Sequence, residues 1–107
     1  MSDLYYAPEK SGLTTVGGIE WSDGDYQFNL TVVWKRESDG VFLLGEDAGC
    51  SCPSPFEGQQ IEDLTELPSP GALEAFKAHC AKRQVHDYDR GPETVALIER
   101  MYAAGAR

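Results

Sequence analysis

Large apolar side chains alternate with more polar ones along residues 25–36, which read DYQFNLTVVWKR. One set of alternate positions is apolar and consists of Tyr26, Phe28, Leu30, Val32 and Trp34. The other set consists of Gln27, Asn29, Thr31, Val33 and Lys35. Because successive side chains of a strand point to opposite faces, this period of two predicts a strand with its first set buried. We expect the second face to lie in water or against a partner.

Turn-forming triplets bound this strand on both sides. Ser-Asp-Gly occurs at residues 22–24 and again at 38–40, and the glycine of such a triplet can adopt a positive φ. Apolar segments lie beyond the two triplets, at residues 13–21 and 41–48. Three strands joined by short turns predict an antiparallel meander. The glycine pair at 17–18 predicts a bulge or a sharp bend in the first strand.

A proline-rich segment separates the meander from the rest of the chain. Prolines stand at positions 53, 55, 68 and 70, so residues 49–69 are predicted to form a long loop. Ile61, Leu64 and Leu67 have the spacing of one helical turn within it.

Two helices are predicted after this loop. Ser69-Pro70 has the residue types of an N-cap and a first helical position, and a helix follows to residue 84. Its buried face is predicted to comprise Leu73, Phe76 and Cys80. Gly91-Pro92 opens the second helix. Its predicted apolar stripe comprises Val95, Ile98, Met101 and Tyr102.

These elements predict an α+β fold. The apolar face of a three-stranded sheet must be covered, and the two C-terminal helices are the only predicted elements long enough to cover it. We therefore expect one domain over residues 1–107, in which a three-stranded antiparallel β-meander (1–48) packs against two C-terminal helices (70–107) with a long proline-rich acidic loop (49–69) between them.

Charge is distributed unevenly along the chain. The net charge is −9, but residues 1–69 hold 13 Asp and Glu against 3 Lys and Arg, whereas residues 70–107 hold 5 against 6. An acidic surface repels phosphates, so we expect no direct binding to nucleic acid or to a membrane. The charge favours a partner protein with a basic surface, or no partner at all. Without a signal-peptide pattern or a long apolar run, the sequence predicts a cytoplasmic protein with reduced cysteines.

Cys50 and Cys52 raise the question of a metal site, because GCSCPSPFE at residues 49–57 places two thiols one residue apart. Structural zinc takes four ligands, and its paired cysteines are usually separated by two or more residues. His79 and Cys80 could complete the set, although neighbouring helical residues diverge by about 100°. Three hypotheses stay open: a packed loop with free thiols and no cofactor, a zinc site, and a redox pair.

The sequence indicates no catalytic set. Nucleophilic catalysis needs a Ser or Cys close to a base that a third group orients. The chain has two histidines, His79 and His86, and neither has a spacing that favours such an arrangement. We therefore expect a non-enzymatic protein with no catalytic residues.

Carboxylates gather around Phe56 on the proline-rich loop. Tyr5, Tyr6 and Phe56 lie outside the predicted strands, where an aromatic ring either caps the core or anchors an interface. As an anchor among carboxylates, Phe56 suits a basic protein surface, and a stiff loop loses little entropy when it docks. The predicted partner-binding residues are Phe56, Glu57, Glu62, Asp63, Glu46 and Asp47. In an alternative hypothesis the acidic residues imitate DNA, which requires ordered rows of charge. The central strand carries neutral Gln27, Asn29 and Thr31 on its second face, which does not fit such a row.

Three stretches of the sequence resemble a known group of proteins. PEKSGLTTVGGIEWSDGDYQFNLTVVW, GCSCPSPFE and DLTEL are similar to segments of small proteins encoded by bacteriophages of actinobacteria, over roughly residues 5–67. The resemblance implies a phage origin and expression inside the bacterial host, and it assigns no site residues.

Together these observations predict a phage accessory protein that binds a host or phage protein, as an inhibitor, an anti-defence factor or a regulator. A zinc-binding domain and a DNA mimic are the alternatives. The two edges of the predicted sheet also make a homodimer plausible, since an open edge can pair with another copy.

Overall fold

The computed structural model describes residues 3–22, 27–50, 55–84 and 90–107, without the side chains of Cys50 and Gln84. The chain begins with a short helix α1 (Asp3–Tyr6) and a 3₁₀ turn (Pro8–Ser11). Three strands follow, β1 (Leu13–Glu20), β2 (Gln27–Arg36) and β3 (Phe42–Cys50). After a second 3₁₀ turn (Ile61–Asp63) come β4 (Thr65–Glu66) and the helices α2 (Ala72–Gln84) and α3 (Gly91–Ala103). The α+β class and the two C-terminal helices are confirmed.

The described strands form one antiparallel sheet in the order β1-β2-β3-β4. The prediction of three strands was wrong, because the loop after β3 returns to the sheet edge. There Thr65 pairs with Leu44, and Glu66 pairs with Leu43. A strand of two residues shows no alternation in the sequence, so its pairing with β3 is visible only in the structure.

The bulge predicted at the glycine pair is confirmed in β1. Its register against β2 shifts between Thr15 and Gly17, which leaves Val16 as the extra residue. A side chain at Gly17 would meet Leu97, since a Cβ there would lie 2.7 Å from Leu97 Cδ1. The glycine therefore allows α3 to pack closely on β1.

Both faces of the sheet are buried, and the helices cover the face that the sequence pattern assigned to solvent. Val33 packs under α2 and α3 with Phe76, Leu97 and Met101. Thr31, on the same face, is also buried. The expectation that this face lies in water was wrong. Side chains of α2 and α3 cover its apolar residues, and the hydroxyl of Thr31 forms hydrogen bonds within the protein.

The opposite face is covered by the N-terminal segment and the proline-rich loop. Its apolar cluster consists of Leu4, Leu13, Val32, Trp34, Leu43, Phe56 and Leu64. Trp34 donates its indole N–H to the backbone oxygen of Leu4 over 3.0 Å, which fixes α1 on the sheet. A loop that the sequence placed outside the core thus supplies one of the two layers on this sheet.

The buried faces of the helices agree with the sequence in part. Phe76 and Cys80 of α2 are buried as predicted, and Leu73 packs at the edge of the same cluster. The stripe predicted for α3 was wrong at two positions, since Val95 and Tyr102 are 55% and 59% exposed. The residues that α3 buries are Thr94, Leu97 and Met101.

Helix α2 begins at Ala72, two residues after the predicted start at Pro70. The backbone oxygen of Arg107 accepts hydrogen bonds from the N–H groups of Gly71 and Leu73, at 3.0 and 3.4 Å. The end of the chain thus satisfies donors that a helix N-terminus leaves open.

Candidate functional site

An open groove of about 610 Å³ runs between α2 and the β3–β4 edge of the sheet. Ala75, Ala78, His79 and Lys82 of α2 form one wall, and Asp63 and Thr65 stand on the other. Glu46 of β3 also lines it. We call this surface the Glu46 groove. Its width on the α2 side follows from two alanines, whose small side chains leave space between helix and sheet.

One carboxylate oxygen of Glu46 is surrounded by three protein groups. Oε2 accepts a hydrogen bond from Thr31 Oγ1 over 2.9 Å and another from Arg83 Nη1. The buried Nε2 atom of His79 lies 3.0 Å from the same oxygen, which makes an ion pair when the imidazole is protonated. The side chain of Glu46 is thereby held in one orientation at the groove.

The surroundings of Glu46 keep it ionised. Its partial burial opposes ionisation, but His79, Thr31 and the charge of Arg83 outweigh burial, so the pKa of Glu46 lies below its usual value. The other oxygen, Oε1, accepts no hydrogen bond from the described part of the chain. Glu46 is therefore an ionised, oriented carboxylate at the groove, paired with Arg83 through Oε2 and, among the described residues, without a hydrogen-bond donor at Oε1.

A chain of hydrogen bonds anchors Arg83 and Glu46 to the sheet. Trp21 donates its indole N–H to Thr31 Oγ1 over 2.8 Å, and Thr31 donates its own O–H to Glu46 Oε2. Arg83 donates through Nη2 to Asn29 Oδ1 over 2.6 Å, and its guanidinium lies 5.1 Å from the ring centre of Trp21. These contacts tie the last turns of α2 to β2 and β3.

A family model described as Domain of unknown function (DUF7574) matches residues 2–106. The chain belongs to this family. No curated protein and no solved structure matches it.

Phe56 of this DUF7574 protein does not lie on the surface. It is 1% exposed, and its ring meets that of Trp34 edge-on with centroids 5.1 Å apart. Tyr5 stacks on its other side at 6.2 Å. The expectation of an exposed aromatic anchor at Phe56 was wrong, because the loop turns back at this residue with φ = 62°.

The predicted acidic residues divide into three groups. Asp47 is structural, since its carboxylate accepts hydrogen bonds from the N–H groups of Phe56 and Ala48 at 2.7 and 3.0 Å. Glu46 and Asp63 both line the groove, and Asp63 also accepts a hydrogen bond from the N–H of Gln60 over 2.8 Å. Glu57 and Glu62 are exposed and do not line it.

The sequence missed Thr31, Asn29 and Arg83 as parts of this site. A usable signal was present, because polar residues on an otherwise apolar strand can meet a cation near the end of a following helix. The sequence pattern places Asn29 and Thr31 on the strand face predicted to lie in water or against a partner. It therefore does not predict their hydrogen bonds to Arg83 and Glu46.

The candidate zinc ligands within the described residues point to different surroundings. Cys80 is in the core, where burial, the largest influence, raises its pKa to about 11. His79 instead lines the groove beside Glu46. The described part of the DUF7574 chain contains no cluster of three or more potential ligands. Cys52, His86 and the side chain of Cys50 lie outside the described residues, so the zinc hypothesis stays a prediction.

Tyr26, predicted to belong to the buried set of β2, lies outside the described residues as well. The helices that the structure describes are all too short or too polar to cross a membrane.

Proposed function

We propose that this protein is a non-enzymatic binding protein whose Glu46 groove docks a basic segment of another protein. The observation that carries the proposal is the geometry of Glu46. Its Oε2 atom is held by Thr31 and Arg83, while Oε1 is left for a donor that the described chain does not supply. A carboxylate that is already oriented loses little entropy when a lysine or an arginine binds.

Charge around the groove favours such a partner. Asp63 stands on the wall opposite α2, and the first 69 residues carry most of the negative charge. Complementary charge increases the association rate and selects the partner. Lys82 lines the α2 wall, so a partner residue beside that wall should be neutral or acidic.

The biological setting in this proposal is the one that the sequence resemblance implies. A phage accessory protein in the host cytoplasm would use the groove to occupy a basic surface of a host or phage protein. Inhibition, counter-defence and regulation are all served by stable occupation of a surface, without catalysis.

The proposal can be tested with a groove-blocking variant. Ala78→Arg places a tethered cation on the α2 wall, at an exposed helical position. Ala81→Arg is the matched control, because Ala81 is exposed on the same helix but does not line the groove. Cross-linked pull-downs from host lysate, quantified by mass spectrometry, should recover a specific protein with the wild type and with Ala81→Arg.

Loss of that protein with Ala78→Arg, and its weaker capture as salt is raised, is the expected outcome. Equal recovery by both arginine variants would place the binding surface elsewhere. If no protein is recovered specifically by the wild type, the binding function itself is contradicted.

A further inference from the structure

The two edges of the sheet differ in their ability to accept another strand. Unpaired N–H and C=O groups at an edge can pair with an added segment. β1 is interrupted by its bulge at Val16, and Arg90 donates through Nε to the backbone oxygen of Glu20 over 2.7 Å. These features make β1 a poor template for a long ladder.

The part of β3 that extends beyond β4 is also blocked. The side-chain amide of Gln59 donates to the backbone oxygen of Glu46 over 2.9 Å. The carboxylate of Asp47 accepts from the N–H of Ala48 over 3.0 Å. Two side chains thus take the positions that a neighbouring strand would occupy.

β4 leaves one residue open. Leu67 donates its N–H to the backbone oxygen of Phe42 over 2.8 Å, and Thr65 pairs with Leu44. Because backbone groups alternate in direction along a strand, the N–H and C=O of the residue between them, Glu66, point away from β3. The Glu66 carboxylate accepts from Arg36 over 3.0 Å, so the groups of Glu66 that lack a partner among the described residues are those of the backbone.

We propose that the basic segment binds as an extended strand that pairs with Glu66 and adds a fifth strand to the sheet; this rests on the proposed function. Thr65 lines the groove. Every second side chain of the added strand therefore also faces the groove, where it lies between β4 and the small residues Ala75 and Ala78. A lysine or an arginine among them reaches toward Glu46 and Asp63. The partner is therefore an extended segment with a cationic residue among the side chains that face the groove, placed to reach Glu46 and Asp63 rather than Lys82.

A synthetic probe separates the strand addition from attraction by charge. The probe is a capped peptide of about eight residues in which threonine and lysine alternate. Its counterpart is N-methylated at every threonine, which keeps the charge but removes the donors that a ladder needs. Nuclear magnetic resonance titration should show the unmodified peptide shifting the amide signals of Thr65 and Glu66, with binding about tenfold tighter than the methylated one.

Variants of the protein give an independent readout. Glu66→Pro removes the outward N–H, and Glu66→Ala removes the contact with Arg36 but keeps that N–H. Both variants lack the carboxylate, so their comparison isolates the N–H, and we expect Glu66→Pro to bind the peptide about tenfold more weakly than Glu66→Ala.

The outcomes distinguish this inference from the function on which it rests. If both peptides bind equally and Glu46→Gln weakens both, the groove binds cations but the strand addition is overturned. If the unmodified peptide fails to bind, or its binding is unaffected by Glu46→Gln, the proposed function fails together with the inference.

Discussion

Asp47 holds Phe56 inside the protein: its Oδ2 atom accepts a 2.7 Å hydrogen bond from the backbone N–H of Phe56. Phe56, which donates this bond, has φ = 62°, a conformation unfavourable for a bulky side chain. The carboxylate and the burial of the ring against Trp34 together offset that cost. Asp47 and Phe56 were predicted to belong to a contact surface. Together they instead hold the proline-rich loop against the sheet.

Phe56→Ala should destabilise the fold by about 3–5 kcal/mol, because it leaves a cavity between Trp34 and Tyr5. Urea denaturation followed by tryptophan fluorescence would measure the change. Glu62→Gln, on an exposed side chain of the same loop, should stay within about 0.5 kcal/mol of the wild type. A Phe56→Ala protein as stable as the Glu62→Gln control would contradict the buried position of the ring.

Gly45→Ala should also be destabilising, for the opposite reason. An added Cβ at Gly45 would lie 2.7 Å from Leu64 Cδ2 and 3.0 Å from Trp34 Cζ3. Overpacking of this kind costs about 1–3 kcal/mol. Gly58→Ala is the matched control, since no atom lies within 4 Å of a Cβ at Gly58. In thermal unfolding, Gly45→Ala should have a clearly lower melting temperature than Gly58→Ala. Equal melting temperatures would refute the packing described for the loop.

Thr31→Val should cost about 1–3 kcal/mol, because it removes the acceptor of the buried Trp21 N–H and a donor to Glu46. Valine has nearly the same shape, so little of the loss would come from a cavity. Thr15→Val, on an exposed position of β1, serves as the control. Chemical denaturation of both variants provides the comparison, and a neutral Thr31→Val would show that the hydroxyl is dispensable.

Glu46 should make stability depend on acid pH. Its pKa in the folded protein lies below the ordinary value of 4.5, so the unfolded chain binds this proton more readily than the folded one. The ionised carboxylate therefore stabilises the fold above that value, and the contribution is lost as the pH falls through the folded pKa. Urea midpoints of Glu46→Gln should fall less steeply on acidification than those of the wild type, with Glu93→Gln as an exposed control. Parallel curves for all three proteins would contradict this role.

Cys80 should react slowly with thiol reagents in the native state. Burial is the main cause that raises the pKa of Cys80 to about 11. Only about one thiol in a thousand is therefore ionised at pH 8. Alkylation at pH 8, with peptide mass spectrometry to separate the three cysteines, would measure its rate. Denatured protein gives the reference, and modification of native Cys80 at the denatured rate would contradict its burial.

The sequence by itself determined the local elements, because strands, turns and helices depend on neighbouring residues. The alternation in residues 25–36 predicts β2, the glycine pair predicts the bulge at Val16, and Gly91-Pro92 marks the start of α3. The excess of negative charge before residue 70 is likewise a property of composition alone.

Only the tertiary structure decided which layer covers each face of the sheet. Val33 and Trp34 lie on opposite faces of β2 and both are buried, so the periodicity alone does not assign the helices to one side. Thr31 is polar yet 0% exposed, because Trp21 and Glu46 satisfy its hydroxyl from other elements. The two-residue strand β4, the inward turn at Phe56 and the Glu46 groove all depend on contacts between residues far apart in the chain, and such contacts leave no periodic pattern in a single sequence.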